Sequence, residues 1–457
     1  MRYVFLVGGT NLSLVAVLNS CSHPKLLIDK SFARDAQHQF QVILADNLEE
    51  ALEVLNFDLP EIVILNVDDP QLFLEPVISA LKNDSWMQNF GIIALYDRNS
   101  GNESRIYNQL TPLNVLTAME YSDIPGNLLK HLKIIESNHQ LLVKLELSRS
   151  GEAKTTGVFN IGNDSMAVPM YTGLAAQTLV QRGLIDSNRK RDLQIALAEL
   201  VQNSIEHGHC GLDSTEKSAF LAQGGSLAEL IRQKCEQDPI LADMKVTLEW
   251  EITAERTRFY IRDQGPGFDV AGWLDRLKHR GPEALSGRGI RLARNLGGKL
   301  AYNRKGNVAC LTIEHPSASG RTMPQGFEGE EIVLAHKGDV VFQQGEKSDH
   351  LYFIISGQYG VYHDGIPMNH LGPADVFMGE MSFLTNNIRT ATVLCESAGR
   401  LVKINRRSFV KTLRLYPHYG FFLAKLMARK LSSDNEMRSK QVLDELTSQQ
   451  GFGDFAL

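Results

Sequence analysis

The spacing of apolar residues changes twice along this chain of 457 residues, and this change constrains the fold more than any other feature. In residues 1–138, short apolar runs bounded by turn residues alternate with stretches of helical spacing. In residues 155–316, a long helical pattern leads into strands in which apolar and polar residues alternate. In residues 330–437, short strands are separated by glycine-bearing turns. Three patterns predict three domains, in keeping with roughly 150 residues per domain.

Composition excludes several classes of function. The chain has 47 Lys and Arg against 53 Asp and Glu, a net charge of −6, which speaks against binding a nucleic-acid backbone. No apolar run approaches the roughly 18 residues that a membrane-spanning helix needs. The 5 cysteines are scattered without a CxxC pair, which argues against a disulfide framework and a structural zinc site. We therefore expect a cytoplasmic protein without a membrane span or a nucleic-acid partner.

The N-terminal segment alternates strands and helices. The predicted strands are Tyr3–Val7, Phe40–Leu44, Glu61–Val67, Gly91–Leu95 and Asn114–Met119, the first followed by a turn and an amphipathic helix. Short, continuously apolar strands with helices between them predict a parallel, doubly wound sheet.

This order of elements resembles a flavodoxin-like response-regulator receiver domain. On the predicted strands, the acidic pair that holds Mg²⁺ in receivers is replaced by Gly8 and Gly9, and the phosphoacceptor position is Asn66. An amide is a far weaker nucleophile than a carboxylate. We therefore expect residues 1–138 to form a degenerate receiver-like domain that docks to another surface.

The central segment carries three polar motifs in a fixed order. Glu199, Asn203 and His207 recur every four residues on a helix that ends at Gly208, so they form one polar ridge. A strand then runs into the sequence Asp263-Gln-Gly265-Pro-Gly267, and Gly287-Arg288-Gly289 opens a later helix. Glycines permit close backbone approach to a ligand, and a helix N-terminus favours phosphate.

This order resembles the GHKL ATP-binding domains, an α/β sandwich here spanning residues 155–316. The resemblance implies that Asn203 is an oxygen ligand of Mg²⁺ and that Asp263 accepts a hydrogen bond from the adenine amino group. The ATP-binding residues that it implies are Asn203, His207, Asp263, Gly265, Gly267, Gly287, Arg288 and Gly289.

One branch of this family, the anti-sigma-factor serine kinases, has a general base four residues before the Asn, which Glu199 matches. The resemblance implies a serine protein kinase that uses Mg²⁺ and ATP on a partner protein, such as an anti-anti-sigma-like protein. The alternatives are a non-catalytic scaffold that sequesters a partner and an atypical histidine kinase that uses His139. Residues 209–245 depart from the pattern as an insertion with a predicted helix at Leu227–Cys235.

The C-terminal segment contains a compact cassette, Gly379-Glu380-Met381 followed by Arg389-Thr390. It resembles the cyclic nucleotide-binding domains, a β jelly roll with C-terminal helices. The resemblance implies that Arg389 and the backbone at Gly379 bind the phosphate, that Glu380 accepts a hydrogen bond from the ribose 2′-OH, that Thr390 favours cGMP over cAMP, and that Met381 belongs to the same site. The alternative is a structural salt bridge between Glu380 and Arg389 in a barrel without ligand.

The remaining segments connect these domains. We expect a helical linker at 139–154, a second linker at 317–329, amphipathic helices at Ser408–Leu413 and His418–Glu436, and a flexible tail at 438–457. The overall expectation is a bacterial signalling protein whose ATP-binding domain is regulated by a cyclic nucleotide as allosteric ligand. Homodimerisation is left open.

Overall fold

The structure is a computed structural model of the chain. It describes residues 13–33, 40–72, 74–83, 90–100, 110, 113–138, 155–182, 184–253, 256–272, 298–315, 323–385, 388–428 and 430–431. The predicted helical linker at 139–154, His139, the strand at Tyr3–Val7 and the tail at 438–457 lie outside these ranges.

The N-terminal domain is a five-stranded parallel sheet with helices on both faces. The strands follow the order β2-β1-β3-β4-β5, which is one common order of doubly wound sheets. Its elements are β1 (Ser13–Leu18), α1 (Ser22–Ala33), β2 (Phe40–Ala45), α2 (Leu48–Glu53), β3 (Ile62–Asn66), α3 (Leu74–Asn83), β4 (Gly91–Tyr96), β5 (Val115–Glu120) and α4 (Ile124–Ser137).

The first described strand corrects the prediction for this region. A helix was expected after a turn at Gly8 and Gly9, but residues 13–18 form β1, in parallel register with β2 and β3. Val15 and Val17 pack on one face of the sheet and Ala16 and Leu18 on the other. A short run buried on both faces shows no periodicity, so spacing alone cannot tell a strand from a helix. The positions after the first strand are therefore Asn19 and Ser20.

The central domain is an antiparallel sheet covered by two long helices. Its strand order is β6-β7-β8-β10-β9, with α5 and α6 packed on one face. The elements are β6 (Thr155–Gly162), α5 (Val168–Gln181), α6 (Ser187–Asn203), β7 (Lys245–Ile252), β8 (Arg256–Arg262), β9 (Lys299–Tyr302) and β10 (Val308–Glu314). The predicted alternation of β7 is confirmed, because Val246, Leu248, Trp250 and Ile252 are buried.

The insertion at 209–245 forms three helices. They are α7 (Ser214–Ala222), α8 (Leu227–Gln237) and α9 (Pro239–Asp243), so the predicted helix at Leu227–Cys235 is confirmed and two more accompany it. Leu230, Ile231 and Leu241 are buried in the core of the central domain. The insertion is therefore a packed part of this domain.

The C-terminal domain is an antiparallel barrel followed by helices. Its strands are β11 (Glu331–Ala335), β12 (Val340–Phe342), β13 (His350–His363), β14 (Ile366–Leu371), β15 (Phe377–Met378) and β16 (Thr392–Asn405). The short α10 (Glu380–Leu384) interrupts them, and α11 (Arg406–Leu415) and α12 (residues 418–428) follow. Phe327, in the predicted linker at 317–329, is buried in this domain's core.

Two side chains of α6 hold the N-terminal domain against the central domain. Lys190 Nζ donates to Asn114 Oδ1 at 2.6 Å, and Gln194 Nε2 donates to the Leu116 carbonyl at 2.8 Å. Apolar residues of β5 and α4 share one core with α5. The edge strand β5 therefore lies against the helix that carries the predicted Glu199–Asn203 pair. None of the helices that the structure describes is long and apolar enough to cross a membrane.

Candidate functional site

Helix α6 carries the first predicted site residues. It begins where the Asp186 side chain accepts a hydrogen bond from the Arg189 N–H, and it ends at Asn203. Residues Ser204–His209 continue it as one π-helical turn, a feature often found at functional sites. Glu199 is half-buried and Asn203 is exposed, and their i, i+4 spacing places them on one helix face.

His207 lies on the wider π turn, so the four-residue ridge does not continue to it with α-helical geometry. Its Nδ1–H donates to the Leu212 carbonyl at 2.8 Å, which holds the ring toward the following loop. The structure thus places Glu199 and Asn203 together and sets His207 apart from them.

Asp263 lies directly after β8 and is 7% exposed. Its Oδ1 accepts a hydrogen bond from the Gly265 N–H at 2.9 Å, and its backbone N–H donates to the Asn307 carbonyl at 3.1 Å. Burial raises the pKa of the Asp263 carboxyl, whereas the Gly265 N–H and the charge of Lys305 oppose that rise. The carboxylate is therefore held in place and partly desolvated.

Two glycines bring this loop against the end of the π turn. A Cβ on Gly265 would lie 1.9 Å from the Gly208 carbonyl oxygen, and one on Gly208 would lie 2.7 Å from Asp263 Cγ. A larger residue at Gly265 would require the backbone to move, and one at Gly208 would displace the Asp263 carboxyl group. The contact places the Asp263 loop beside the helix that carries Asn203.

His209 is a residue of this junction that the motif comparison missed. Its Nε2 accepts from the Gln264 N–H at 3.1 Å, and its Nδ1–H donates to Asn163 Oδ1 at 2.7 Å. Burial lowers the pKa of His209, which keeps the ring neutral for these roles. Its position in the sequence carries no periodic signal, because its partners are distant in the chain.

The predicted phosphate-side residues Gly287, Arg288 and Gly289 lie outside the described residues. Gly267 is described, with φ +80, and a Cβ there would lie 1.9 Å from the Lys305 carbonyl oxygen. The loop after Asp263 is therefore packed tightly on the β9–β10 turn.

The insertion is anchored next to this site by a buried ion pair. Lys217 Nζ lies 2.7 Å from Glu206 Oε2, and the Glu206 side chain is only 4% exposed. Asn163 Nδ2 also donates to the Leu241 carbonyl at 2.6 Å. Helices α7 to α9 are thus attached both to the π turn and to the loop after β6.

Glu199 also lines a cavity of about 350 Å³ between the N-terminal and central domains. Its walls come from β5, the start of α5 and one face of α6, including Lys190 and Gln202. Lys190 is 4% exposed, and burial lowers the pKa of its ammonium to about 7. Neither Asn203 nor Asp263 lines this cavity. Glu199 does, although it shares a helix face with Asn203.

The carboxyl edge of the N-terminal sheet is a polar cluster. Asn66, at the predicted phosphoacceptor position, accepts from the Tyr121 hydroxyl at 2.7 Å and donates to Asn19 Oδ1 at 2.7 Å. Asp69 accepts from the Ser20 hydroxyl, and Asp68 accepts from Ser100. In the parts of the chain that the structure describes, no group of three or more His, Cys, Asp or Glu side chains could hold a metal ion.

In the C-terminal domain, Arg389 is 3% exposed at the predicted phosphate position. Its Nη1 donates to the Gly379 carbonyl at 2.9 Å and to Ser382 Oγ at 3.2 Å, and its Nη2 donates to the His350 carbonyl. Its guanidinium carbon lies 4.1 Å from the centre of the Phe342 ring. Burial lowers the pKa of Arg389, and these contacts use three of its five N–H donors.

Gly379 and Glu380 begin the short helix α10 beside this guanidinium. Gly379 has φ +79, and a Cβ there would lie 2.3 Å from Arg389 Nη1. Glu380 is 6% exposed and its Oε1 lies 2.6 Å from Lys430 Nζ. The alternative salt bridge between Glu380 and Arg389 is therefore wrong, since the ion-pair partner of Glu380 is Lys430.

Met381 and Thr390 are exposed at the rim of this site. The Thr390 carbonyl accepts a hydrogen bond from His363 Nδ1 at 2.9 Å, which fixes the backbone there. The structure thus places the start of α10, with Gly379, Glu380 and Met381, beside Arg389 and its neighbour in the chain, Thr390.

Comparison with known families identifies two of the domains. Residues 170–313 match the histidine kinase-like ATPase domain, and residues 332–416 match the cyclic nucleotide-binding domain. The chain therefore contains a GHKL-like ATPase domain of α/β fold and a cyclic nucleotide-binding jelly roll. The two domains together support cyclic-nucleotide-regulated, ATP-binding signalling.

Individual relatives match only part of the chain. A cAMP-dependent protein kinase type II regulatory subunit of Drosophila melanogaster is 37% identical over 76 residues, which are 17% of this chain and 20% of the relative. A cGMP-dependent protein kinase of Plasmodium berghei is 32% identical over 117 residues, 26% of this chain and 13% of the relative. The catabolite activator protein of Thermus thermophilus has 27% identity and a TM-score of 0.23, covering 27% of this chain and 57% of that structure. The matched residues thus cover only a minor part of the length of the regulatory subunit and of the cGMP-dependent kinase.

Proposed function

We propose that this protein is an ATP-dependent serine protein kinase of anti-sigma-factor type whose activity depends on a cyclic nucleotide. The observation that carries the ATP site is the contact between Gly208 and Gly265, which holds the Asp263 carboxylate beside the helix of Glu199 and Asn203. This contact supports the proposal, because the carboxylate, the amide and the second carboxylate to which we assign adenine binding, magnesium binding and proton transfer lie on two adjoining elements.

Asp263, Asn203 and Glu199 each have a separate role in the proposed phosphotransfer. The Asp263 carboxylate accepts a hydrogen bond from the adenine amino group, and its partial desolvation strengthens that hydrogen bond. The exposed amide oxygen of Asn203 is the kind of hard ligand that Mg²⁺ takes, and the ion neutralises phosphate charge when ATP is bound. Glu199, one turn away, takes the proton from the partner's serine hydroxyl as that oxygen attacks the γ-phosphorus. The bond from the γ-phosphorus to the bridging oxygen breaks, and ADP leaves with that oxygen.

The test is transfer of labelled phosphate from ATP to serine-bearing partner proteins, with and without cAMP or cGMP. Glu199→Gln keeps the side-chain shape but removes the base, so transfer should fall about 100-fold or more while ATP affinity is kept. Glu249→Gln, on the exposed face of β7, is the matched control. No transfer by the unchanged protein under any condition would contradict the kinase assignment.

For the C-terminal domain, we propose that Arg389 binds the cyclic phosphate and that Glu380 accepts a hydrogen bond from the ribose 2′-OH. The buried guanidinium and the close approach at Gly379 support this assignment. Thr390 favours cGMP, because a hydroxyl at the rim can bond the guanine amino group. Calorimetry with cAMP and cGMP tests both points, and lack of binding by either nucleotide contradicts a sensor.

The N-terminal domain fits a degenerate receiver. Its strand order is that of flavodoxin-like sheets, and Asn66 occupies the acceptor position with its amide already bonded to Tyr121 and Asn19. We propose that it acts by docking, since β5 lies on α6 through Lys190 and Gln194.

The second candidate is a ligand-gated scaffold without catalysis. One observation favours it: Glu199 lines the cavity that β5 helps to close, so a partner serine must enter between two domains. A scaffold should keep its partner binding and biological output in the Glu199→Gln variant, whereas a kinase should lose its output.

A further inference from the structure

Helix α12 lies between the proposed cyclic nucleotide site and the N-terminal domain. Residues 430–431 are also helical, and Lys430 Nζ is 2.6 Å from Glu380 Oε1. The Glu380 side chain is 8% exposed and the Lys430 side chain 21%. A largely buried carboxylate is costly without a positive partner, so Lys430 stabilises Glu380 in this arrangement.

The same helix contacts the segment between α2 and β3 of the N-terminal domain. The Phe421 ring packs edge-on against Phe57, with 5.5 Å between ring centres, and Lys425 Nζ donates to the Leu59 carbonyl. The Leu59 side chain is buried in the core of the C-terminal domain with Phe422 and Leu426. The N-terminal domain thus supplies one side chain to the core that α12 helps to close.

Leu59 is held in a backbone conformation that a leucine rarely adopts. Its φ of 49 lies in the left-handed region, which is unfavourable for a residue with a Cβ. Phe57 and Phe421 remain 40% and 57% exposed. The left-handed Leu59 ends the helical turn Val54–Asp58 of its own domain, and the two half-exposed rings show that this part of the contact is only partly shielded from solvent.

The N-terminal domain also contacts the helix of Glu199. Asn114 and the Leu116 carbonyl bond to Lys190 and Gln194 of α6. One domain therefore touches the sensor helix on one side and the proposed catalytic helix on the other.

We propose that Lys430 is an internal competitor for Glu380, and that a bound cyclic nucleotide displaces it and thereby frees α12 from Phe57 and Leu59. The proposal rests on the function assigned above, because the ribose 2′-OH must use the same carboxylate. Loss of the ion pair removes an anchor that holds the C-terminal helical segment beside the nucleotide site, and the N-terminal domain then loses its contact with the sensor. The regulatory signal passes through the N-terminal domain to α6.

The first experiment compares Lys430→Gln with Lys411→Gln, a control on the exposed face of α11, in the full chain. Calorimetry with cAMP and cGMP should show about fivefold tighter binding for Lys430→Gln, because the competing ammonium is gone, and no change for the control. Binding that is equal in all three proteins overturns the competition and leaves the sensor assignment intact. No binding in any of them overturns the sensor assignment itself.

The second experiment measures hydrogen exchange of residues 418–428 in the full chain. Saturating cyclic nucleotide should raise exchange in this segment, and Phe57→Ala should raise it without ligand. Bound nucleotide with unchanged exchange overturns the release of α12. Unchanged exchange in ligand-free Phe57→Ala overturns the docking surface, whatever the nucleotide does.

Discussion

Gly365 and Gly379 have the same backbone conformation but different surroundings. Both have φ +79, where a Cβ is strained, yet a Cβ at Gly365 meets nothing within 4 Å and one at Gly379 meets Arg389. Asp263 shows the same dependence on neighbours, because its burial is set by the glycines packed around it. At the scale of the residue, the site is defined by what lies within a few ångströms.

The first prediction separates strain from crowding at these glycines. Gly365→Ala and Gly379→Ala should each lose about 1–2 kcal/mol of stability, the cost of a Cβ at positive φ. Only Gly379→Ala pushes Arg389 from its place, so only this variant should bind cyclic nucleotide at least tenfold more weakly. Calorimetry of both variants checks this, and equal losses of affinity would contradict it.

The second prediction concerns Asp263. Asp263→Asn keeps the shape of the side chain but replaces a charged acceptor by a neutral one, so ATP affinity should fall about tenfold. Titration with a fluorescent ATP analogue measures the change, and Asp243→Asn, on an exposed residue of α9, is the control. An unchanged affinity would remove Asp263 from the nucleotide site.

At the scale of the element, two features depart from a regular ATPase domain. The end of α6 widens into the π turn at Ser204–His209, which sets His207 apart from Glu199 and Asn203. The insertion then adds three helices, anchored by Glu206 and Lys217. Both features lie where Gly208 meets the Asp263 loop, so they shape the same edge of the site.

The third prediction tests this anchor. Lys217→Met leaves the buried Glu206 without its partner, which should destabilise the insertion by roughly 1–3 kcal/mol. Lys234→Met breaks the more exposed pair with Glu216 and should change stability by less than about 0.5 kcal/mol. Hydrogen exchange of α7 reports both local effects. Similar exchange in the two variants would show that burial does not decide the strength of these pairs.

At the scale of the whole molecule, polar side chains join the domains, among them Lys130, which pairs with Asp164, and His131, whose Nε2 lies 3.0 Å from the Met166 carbonyl oxygen. Lys190 and Gln194 join α6 to the N-terminal domain, and Lys425 joins α12 to Leu59. In the described ranges, Lys190 has no ion-pair partner, although Arg191 and Glu199 line the same cavity. Docking of the N-terminal domain therefore buries an ammonium without a neutralising charge.

The fourth prediction is a pH dependence of this docking. Burial lowers the pKa of Lys190 from 10.5 to about 7, so the separated state binds more protons between these pH values. Docking must therefore strengthen as pH rises, by about 1 kcal/mol from pH 7 to 8. Hydrogen exchange of β5, corrected for its intrinsic rate, measures this. The dependence of docking on pH should vanish in Lys190→Met and persist in Lys245→Met, an exposed control.

Interactions between residues close in the chain account for the features that could be predicted from the sequence alone. Strand alternation in β7, the helix of Glu199 and Asn203, and the turns at Gly265 and Gly379 depend on residues close in the chain. The motif order predicted the ATPase and cyclic nucleotide-binding domains, which the family matches confirm. The specific roles of the site residues stay predictions until the variants above are measured.

The sequence by itself determined elements such as β7 and the helix of Glu199 and Asn203, and which segments carry polar motifs, because spacing and turn chemistry act over a few residues. Only the tertiary structure decided that residues 13–18 form a central strand, that His209 joins the Asp263 loop, and that Lys430 rather than Arg389 pairs with Glu380. Lys425 and Leu59 are 366 positions apart, and no local pattern records their contact. Such contacts arise from the packing of whole domains, which brings together residues that spacing alone cannot relate.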